Sequence, residues 1–435
     1  MLGNYLIVAV RNVVRHKVYS LINIVGLAVG MACTILLFLW VQDEWRYDRF
    51  HEKADRIYRA LWLGRIPVSP FPLAEAMETY VPQVERATRL RPTIGSEGWS
   101  VRVGSEYVLE KGVLYAEQSF FEVFTVTFLA GDPQTALRDP HSVVLTEERA
   151  RQYFPNRDAM GQALELGDGT VRRVTGVVEA VPSQSHFQFD FLTPLGDHPF
   201  VRQHREQWAS GAVYTYVALR EGANAAQVET LLATHLRTHV PRGKRRWPGN
   251  APPFPLQALT DIHLRSHFGL ELGPNGDMMH VYAFSLISIF ILLLACINFV
   301  NLSTARSANR AREVGIRKVV GSYRTQLVHQ FLFESLVYVA LAMVLALGVC
   351  ELGLPLLNGL AGKQLTTGSL ASPVAVMALA CIVAAVAALA GLYPAFFMSS
   401  FWPVQVLKGR VGNRSGLNRL RNGLVVVQFC ISIGC

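Results

Sequence analysis

Charged residues are scarce in this chain, and their scarcity excludes several classes of protein. They make up 17% of 435 residues, whereas globular proteins carry about 25%. Disordered chains and coiled coils are rich in charge, so both classes are excluded. Hydrophobic residues reach 51% of the composition, which together with the low charge indicates that part of the chain lies in a membrane.

Motifs for nucleotide hydrolysis, metal binding and nucleophilic catalysis are missing as well. No GxxxxGK(S/T) phosphate loop occurs, and neither HExxH nor Gly-x-Ser-x-Gly is present. Two histidine pairs have the four-residue spacing of a metal-binding helix, namely His235 with His239 and His263 with His267. Two ligands without a third are a weak metal signal. We therefore predict a chain that is not an enzyme and has no cofactor and no metal site.

Four apolar runs are long enough to cross a bilayer as helices, which takes about 20 residues. They are residues 18–41, 281–302, 331–352 and 374–398. A fifth run begins at Leu424 and reaches the last residue, Cys435, after 12 residues. The sequence thus predicts four complete membrane-spanning helices and the start of a fifth, with residues 353–373 as a short outer loop.

Residues 43–280, between the first and second runs, have the mixed composition of a water-soluble domain and contain no cysteine. Short apolar segments near glycine predict strands, for example residues 113–115 and 213–219. Thr146, which two glutamates follow, and Asn224 are expected to cap helices. The predicted fold class is therefore an α-helical membrane domain with a large inserted α+β extracytoplasmic domain.

Basic residues are concentrated next to the apolar runs. The segments before residue 18, between 302 and 331 and after 398 hold 14 Lys and Arg against one acid. Residues 43–280 hold 26 basic and 29 acidic residues. Because positive residues beside membrane helices stay in the cytoplasm, the N-terminus is predicted inside and residues 43–280 outside. The formal net charge of +9 is then explained by the basic segments on the cytoplasmic side of the membrane. No nucleic-acid partner is expected.

The predicted domains follow from these runs and charges. They are 1–42, the cytoplasmic N-terminus and first helix; 43–280, the outer domain; 281–398, the membrane domain with helices two to four; 399–423, a basic cytoplasmic linker; and 424–435, the truncated start of helix five.

Gly26 and Gly30 form a GxxxG pattern that permits close packing of helices, the alternative being a chance spacing that faces lipid. No charge lies at the centre of a run, which argues against a proton or ion relay.

The segment at about 306–326 has two interpretations. It is either a basic helix lying on the inner membrane surface or a short helix that docks into a groove of a soluble partner. Residues 312–321, which read REVGIRKVVG, resemble the cytoplasmic signature of the MacB/FtsX-like family of ABC transporter permeases. Further segments resemble that family in order along the chain, namely YDRFH at 47–51, FFEVF at 120–124, SVVLT at 142–146, SHFQFD at 185–190 and GLYPA at 391–395.

The resemblance implies a function. In this family the segment after the second helix is a coupling helix, which contacts a separate ATP-binding subunit. The residues that take this role here are Arg312, Glu313, Val314, Gly315, Ile316, Arg317, Lys318 and Gly321. ATP hydrolysis by the partner would move a MacB-like periplasmic domain for export, extraction or mechanical signalling in a bacterial inner membrane. A second permease half or a homodimer partner, the lipid bilayer and a periplasmic adaptor are the further partners that the resemblance suggests.

Two alternatives stay open at this point. Residues 420–429 resemble the opening of a second permease half, so a fragment of a duplicated permease is expected, and a natural half-length subunit is the alternative. For function, the alternative is a membrane-anchored sensor or scaffold with an outer ligand-binding domain and no ATPase partner.

Overall fold

The computed structural model divides the chain into two compact units. The membrane unit comprises Met1–Asp43 and Met279–Cys435, and the inserted unit comprises Glu44–Met278. The structure describes residues 2–93, 98–103, 105–155, 157–241, 244, 253–305, 314, 316, 318–399, 422–423, 425–430 and 433. Most of the predicted linker 399–423 therefore lies outside the described residues, as do residues 424, 431, 432, 434 and 435 of the fifth run.

The α-helices and strands follow in chain order. The helices are α1 (Leu2–Arg15), α2 (Lys17–Trp45), α3 (Leu73–Tyr80), α4 (Phe120–Val123), α5 (Glu147–Tyr153), α6 (Pro199–His204), α7 (Ala225–His239), α8 (Leu259–Arg265), α9 (Met278–Ala305), α10 (Arg324–Ala361) and α11 (Pro373–Ser399). The strands are β1 (Ile57–Ala60), β2 (Val84–Pro92), β3 (Trp99–Val103), β4 (Glu106–Glu110), β5 (Val113–Ala116), β6 (Phe128–Gly131), β7 (Ser142–Thr146), β8 (Ala163–Glu165), β9 (Val171–Val178), β10 (Phe191–Pro194), β11 (Tyr214–Leu219) and β12 (Leu256–Ala258).

Four helices of the membrane unit, α2, α9, α10 and α11, are long and apolar enough to cross a membrane. They confirm the four spanning helices of the predicted fold class. The predicted outer loop is wrong for its first residues, because α10 continues past residue 353 to Ala361. Pro355 lies inside this helix, as membrane helices tolerate. Gly362, with a left-handed φ of 63°, ends it.

Small and medium apolar side chains form the core of the membrane unit. Met31 of α2 is buried in one cluster with Val339 and Ala342 of α10 and Val386 of α11. Near one end of α2, Ser20 Oγ and Tyr338 Oη lie 2.9 Å apart and share a hydrogen bond. The hydroxyls thereby satisfy each other inside the helix bundle, where an unpaired polar group would be costly.

The inserted unit is built on one large sheet with the strand order β12-β1-β11-β2-β5-β10-β7-β9-β6, and β8 pairs with β9. β5 with β10 and β7 with β9 are parallel pairs, and the other pairs are antiparallel. β3 and β4 form a separate hairpin. Strands and helices are interleaved along the chain, which confirms the predicted α+β character of this unit.

The two predicted helix caps have different outcomes. Asn224 Oδ1 accepts hydrogen bonds from the backbone N–H groups of Ala226 and Gln227, at 2.9 and 3.4 Å, and begins α7 as predicted. Thr146 does stand just before α5, but its side chain makes no capping bond. Its hydroxyl is buried without a hydrogen-bond partner in the described part of the chain, because Thr146 also ends the buried strand β7.

Candidate functional site

The predicted coupling segment follows α9 and leads into α10. The structure describes Val314, Ile316, Lys318 and Gly321 of its predicted residues. Arg312, Glu313, Gly315 and Arg317 lie outside the described residues. Val314 is only 3% exposed and packs in one cluster with Leu327 and Phe331 of α10 and Ala395 of α11. This valine therefore anchors the segment to two membrane helices.

The residues after Val314 expose apolar side chains. We call Ile316, Val319, Val320 and Tyr323 the 316–323 face; Val320 is 82% exposed and Tyr323 is 71% exposed. Gly321 has a φ of 106°, a conformation that favours glycine, and it turns the chain toward α10. Gln326 Oε1 accepts a hydrogen bond from the Tyr323 N–H at 3.2 Å and caps the helix start. The face is thus exposed on a segment that is fixed at both ends.

Lys318 adds a positive charge to this segment. Partial burial, followed by repulsion from Arg324, lowers the pKa of Lys318 below its ordinary value of 10.5. The segment accordingly combines an exposed apolar surface with basic residues, which is suited to an acidic rim around an apolar groove on a partner.

Gly26 and Gly30 lie on the face of α2 that approaches α9. A Cβ added at Gly30 would lie 2.5 Å from Ala295 Cβ, and one added at Gly26 would lie 3.4 Å from Asn298 Nδ2. The two helices therefore come into close contact where Gly30 has no side chain.

Replacing Gly30 with alanine is expected to destabilise the membrane unit by about 1 to 3 kcal/mol, because the added methyl group overpacks the contact with Ala295. Thermal unfolding of the purified chain in detergent measures the effect. Gly348→Ala in α10 is the matched control, since a Cβ there meets nothing within 4 Å. Equal melting temperatures for the two variants would contradict the close packing of α2 on α9.

The inserted unit contains a buried polar network that includes residues just after the end of α2. Asp48 is fully buried and has a left-handed φ of 59°. Its Oδ1 accepts hydrogen bonds from the His186 N–H at 3.1 Å and from His186 Nδ1 at 2.8 Å. His186 Nε2 lies 2.7 Å from Tyr216 Oη in β11. Burial alone would raise the pKa of Asp48, but the charge and hydrogen bonds of His186 hold it below 3.8.

A second part of the network surrounds Arg59 of β1, which is completely buried. Arg59 Nη1 donates to Glu271 Oε2 at 2.6 Å. Its Nη2 donates to Gln257 Oε1 at 2.7 Å and to Ser266 Oγ at 3.1 Å. Burial would raise the pKa of Glu271, but the Arg59 guanidinium lowers it below 4.5. Both partners are therefore charged inside the unit.

A third pair joins the two ends of the inserted unit. His263 Nε2 lies 2.7 Å from Glu44 Oε2, and the Tyr47 ring stacks on His263 at 3.3 Å. A Cβ at Gly276 would lie 2.8 Å from His263 Nε2, so only glycine fits there. Buried polar contacts thus hold the chain both where it leaves α2 and where it leads from the sheet to α9.

The histidine pairs considered for metal binding have other contacts. His235 and His239 stack on each other at 3.9 Å, and Tyr80 stacks on His235 at 3.5 Å. His263 bonds to Glu44, as described above. Among the described residues, no group of three or more His, Cys, Asp and Glu side chains could hold a metal ion.

Comparisons with known proteins match both units. A family model described as the MacB-like periplasmic core domain matches residues 20–234. A second, described as the FtsX-like permease C-terminal domain, matches residues 285–402. The two models together take in most of the inserted unit and the helices from α9 to α11.

Individual relatives agree with the family models. The chain is 22% identical over 371 residues to the uncharacterized ABC transporter permease YvrN of Bacillus subtilis, covering 78% of this chain and 84% of that protein. It is 20% identical over 235 residues to the macrolide export ATP-binding/permease protein MacB of Psychrobacter cryohalolentis, covering 54% of this chain. The match spans 32% of that MacB protein, which is therefore much longer than the region shared.

A solved structure is also similar in part. The periplasmic region of MacB from Actinobacillus actinomycetemcomitans aligns with 48% of this chain and 91% of its own length, at 16% identity and a TM-score of 0.34. The family assignment rests on the two domain matches, in the order that the sequence motifs predict. The chain therefore belongs to the MacB/FtsX-like family of ABC transporter permease proteins.

Proposed function

We propose that the chain is the membrane subunit of an ABC transporter, in which a separate ATP-binding subunit drives motion of the inserted unit for export, extraction or mechanical signalling. The observation that carries this proposal is the 316–323 face, four exposed apolar side chains on an anchored segment between two spanning helices. Apolar side chains exposed together on a fixed segment are suited to a protein interface. The family membership supports an ATP-binding partner.

The proposed coupling begins at this face. The ATP-binding subunit binds Ile316, Val319, Val320 and Tyr323, while Arg312, Glu313, Arg317 and Lys318 pair with its charged rim. Gly321 shapes the turn into α10. Val314 then transmits a displacement to Phe331 and Ala395, with which it packs. Motion of the segment thereby becomes motion of α10 and α11.

Within the inserted unit, the buried polar network would receive this motion. Glu44 lies in the last turn of α2 and Asp48 comes shortly after the end of this helix, and both are bonded inside the inserted unit. Because ionised and hydrogen-bonded buried groups resist separation, a displacement of this segment would move the sheet with it rather than stretch a loose linker.

The proposal includes location and partners. Positive residues beside the helices support a cytoplasmic N-terminus, a cytoplasmic 316–323 face and periplasmic residues 43–280 in a bacterial inner membrane. A transporter of this kind would pair two membrane halves, so a second permease half or a second copy of the chain completes the membrane part. A periplasmic adaptor is a further partner that residues 43–280 could reach.

Replacing Val319 and Val320 together with aspartate is expected to abolish co-purification of the ATP-binding subunit and its stimulated ATPase activity. Loss of two valines that the proposed interface would bury removes about 3 kcal/mol, roughly a hundredfold in affinity. The assay co-expresses the chain with the ATP-binding proteins of its source organism and measures ATP hydrolysis in lipid nanodiscs. Tyr107→Asp with Leu109→Asp, an exposed apolar pair on β4, is the matched control.

Two outcomes would contradict the proposal. One is an ATP-binding partner that still binds and is still stimulated by the Val319→Asp/Val320→Asp chain. The other is a ligand-dependent signal from the inserted unit with no ATP-binding protein bound, which would favour a sensor or scaffold.

A further inference from the structure

The first helix, α1, continues into the spanning helix α2 and keeps its helical register. Only His16 separates the two helices. Its N–H donates to Asn12 O at 3.2 Å, and the Ser20 N–H donates to His16 O at 2.9 Å. These bonds join residues four apart, as within an α-helix. A face of α1 is therefore in line with the same face of α2.

One face of α1 packs on the membrane unit. Ala9 is buried, and Val13 packs against the hydrophobic core of the unit. Asn12 Nδ2 donates to Glu334 Oε2 of α10 at 3.4 Å. These contacts determine which face of α1 points away from α10.

The face of α1 that points away is exposed and largely apolar. We call Ile7, Val10, Arg11, Val14 and Arg15, all of them exposed, the α1 stripe. Their spacing is that of one face of a helix. Exposed apolar side chains continue this face on α2, namely Val18, Leu21, Ile22, Val25 and Val29. Because α2 is long and apolar enough to span a membrane, this continuous face lies against lipid.

The charge of the α1 stripe is positive and unbalanced. Arg11 and Arg15 line a shallow groove with apolar side chains only, and no acidic side chain of the described residues lines it. Neither arginine pairs with any residue that the structure describes. Residues 1–42 contain no Asp or Glu, and Glu334 is buried on the packed face of α1. The arginines are thus free to bind an anion.

The two arginines lie at the height of the phospholipid headgroups. A helix rises 1.5 Å per residue, which places Arg15 and Arg11 about 5 and 10 Å beyond Val18, where the apolar run starts. The headgroup layer on each side of the hydrocarbon is about 5 to 8 Å deep. The long arginine side chains extend their charge toward that layer while their stems stay on apolar surface.

We propose that the α1 stripe binds an acidic phospholipid. Arg11 and Arg15 pair with its phosphate, which guanidinium groups bind in a bidentate manner, and Val14 and Val18 contact its acyl chains. Phosphatidylcholine has the same phosphate, but the two arginines repel its choline cation. The continuity of the stripe with the exposed face of α2 selects a lipid over a soluble anion. This assignment does not depend on an ATP-binding subunit.

Photo-cross-linking from Val14→p-benzoylphenylalanine tests the site on the full chain, in nanodiscs of mixed phosphatidylglycerol and phosphatidylcholine. Mass spectrometry identifies the lipid that is attached. A basic residue near an acidic membrane surface contributes about fivefold in affinity. We therefore expect the ratio of phosphatidylglycerol to phosphatidylcholine among the cross-links to exceed the ratio in the bilayer about fivefold.

Two variants and one control position accompany this measurement. Arg11→Gln with Arg15→Gln should bring the ratio close to that of the bilayer. Arg11→Glu with Arg15→Glu should lower it below the bilayer ratio, a reversal that loss of folding cannot produce. Phe38→p-benzoylphenylalanine is the matched control, because Phe38 is exposed near the other end of α2, away from both arginines. Its cross-links should follow the bilayer ratio.

Three results would overturn the assignment. They are a bilayer ratio at Val14 in the otherwise unchanged chain, an unchanged preference after Arg11→Gln with Arg15→Gln, and a cross-link from Val14 to a second protein chain in place of lipid. The last result would make the α1 stripe a protein interface.

Discussion

Replacing Arg59 with methionine is expected to lower the free energy of unfolding of the inserted unit by about 3 to 5 kcal/mol, because it leaves Glu271 as an uncompensated buried charge. Arg59 is 0% exposed and makes four hydrogen bonds through Nη1 and Nη2, two to Glu271 and one each to Gln257 and Ser266. Methionine has a similar volume, so the loss measures the broken ion pair more than a cavity. Hydrogen exchange of the β1 and β11 amides in urea follows the unfolding.

The matched control for this variant is Arg102→Met. Arg102 pairs with Glu165 at 2.9 Å, but the two side chains are 47% and 44% exposed. Exposed ion pairs contribute about 0 to 1 kcal/mol, so the control should change the free energy of unfolding by less than that. If Arg59→Met destabilised the unit no more than Arg102→Met, the buried pair would not hold β1 to the segment that precedes α9.

Lowering the pH from 7 to 4 is expected to cost the inserted unit about 3 kcal/mol of stability through His51 alone. His51 is 4% exposed, and this burial lowers its pKa from 6.5 to about 4. Attraction by Asp48 raises the pKa and repulsion from His186 lowers it, but burial is the largest cause. Between these values the unfolded chain binds the proton and the folded chain does not. Stability is therefore full above pH 6.5 and falls as the pH decreases toward 4.

The His51→Asn variant isolates this effect. His51 Nδ1 accepts a hydrogen bond from the Thr125 N–H at 3.1 Å, and asparagine keeps an acceptor near that position without a titratable ring. Its urea unfolding midpoint should depend less on pH between 6.5 and 4 than that of the parent, whereas exposed His141→Asn should keep the parental dependence. Asp48 and Glu271, whose pKa values are also lowered, act mainly at the acid end of this range. A parental slope in His51→Asn would contradict the assignment.

Periodicity and composition predicted the spanning helices because each requires only a long apolar run. The same approach placed the end of α10 too early. Glu351 and Pro355 interrupt the apolar pattern, yet the helix continues to Ala361, because proline removes one backbone hydrogen bond without ending a helix that is packed on its neighbours. The prediction that Thr146 caps α5 with its side chain failed for a related reason. Thr146 is also the last residue of β7, and its side chain is buried with that strand.

The buried network could not be derived from the sequence. Asp48, His186 and Tyr216 are far apart in the chain, and only the register of β11 and the loop before β10 brings them together. The one available signal was the family resemblance of residues 47–51 and 185–190, which contain Asp48, His51 and His186. That resemblance gave no role for these side chains, because hydrogen bonds between distant segments leave no periodic pattern.

The family resemblance located the coupling segment, but it did not predict which of its side chains are exposed. Residues 312–321 read as basic and polar, whereas the described part exposes Ile316, Val319 and Val320 and buries Val314. The difference arises because α10 and α11 together cover Val314, and that contact depends on tertiary packing.

Site-specific photo-cross-linking at Val320 tests the central claim most directly. The Val320→p-benzoylphenylalanine variant of the full chain is co-expressed with its ATP-binding partner in membranes. We predict an ultraviolet-dependent cross-link to the ATP-binding subunit from this position and none from Leu109→p-benzoylphenylalanine on β4. A cross-link to the ATP-binding subunit from Leu109, or from neither position while the two proteins co-purify, would contradict coupling through the 316–323 face.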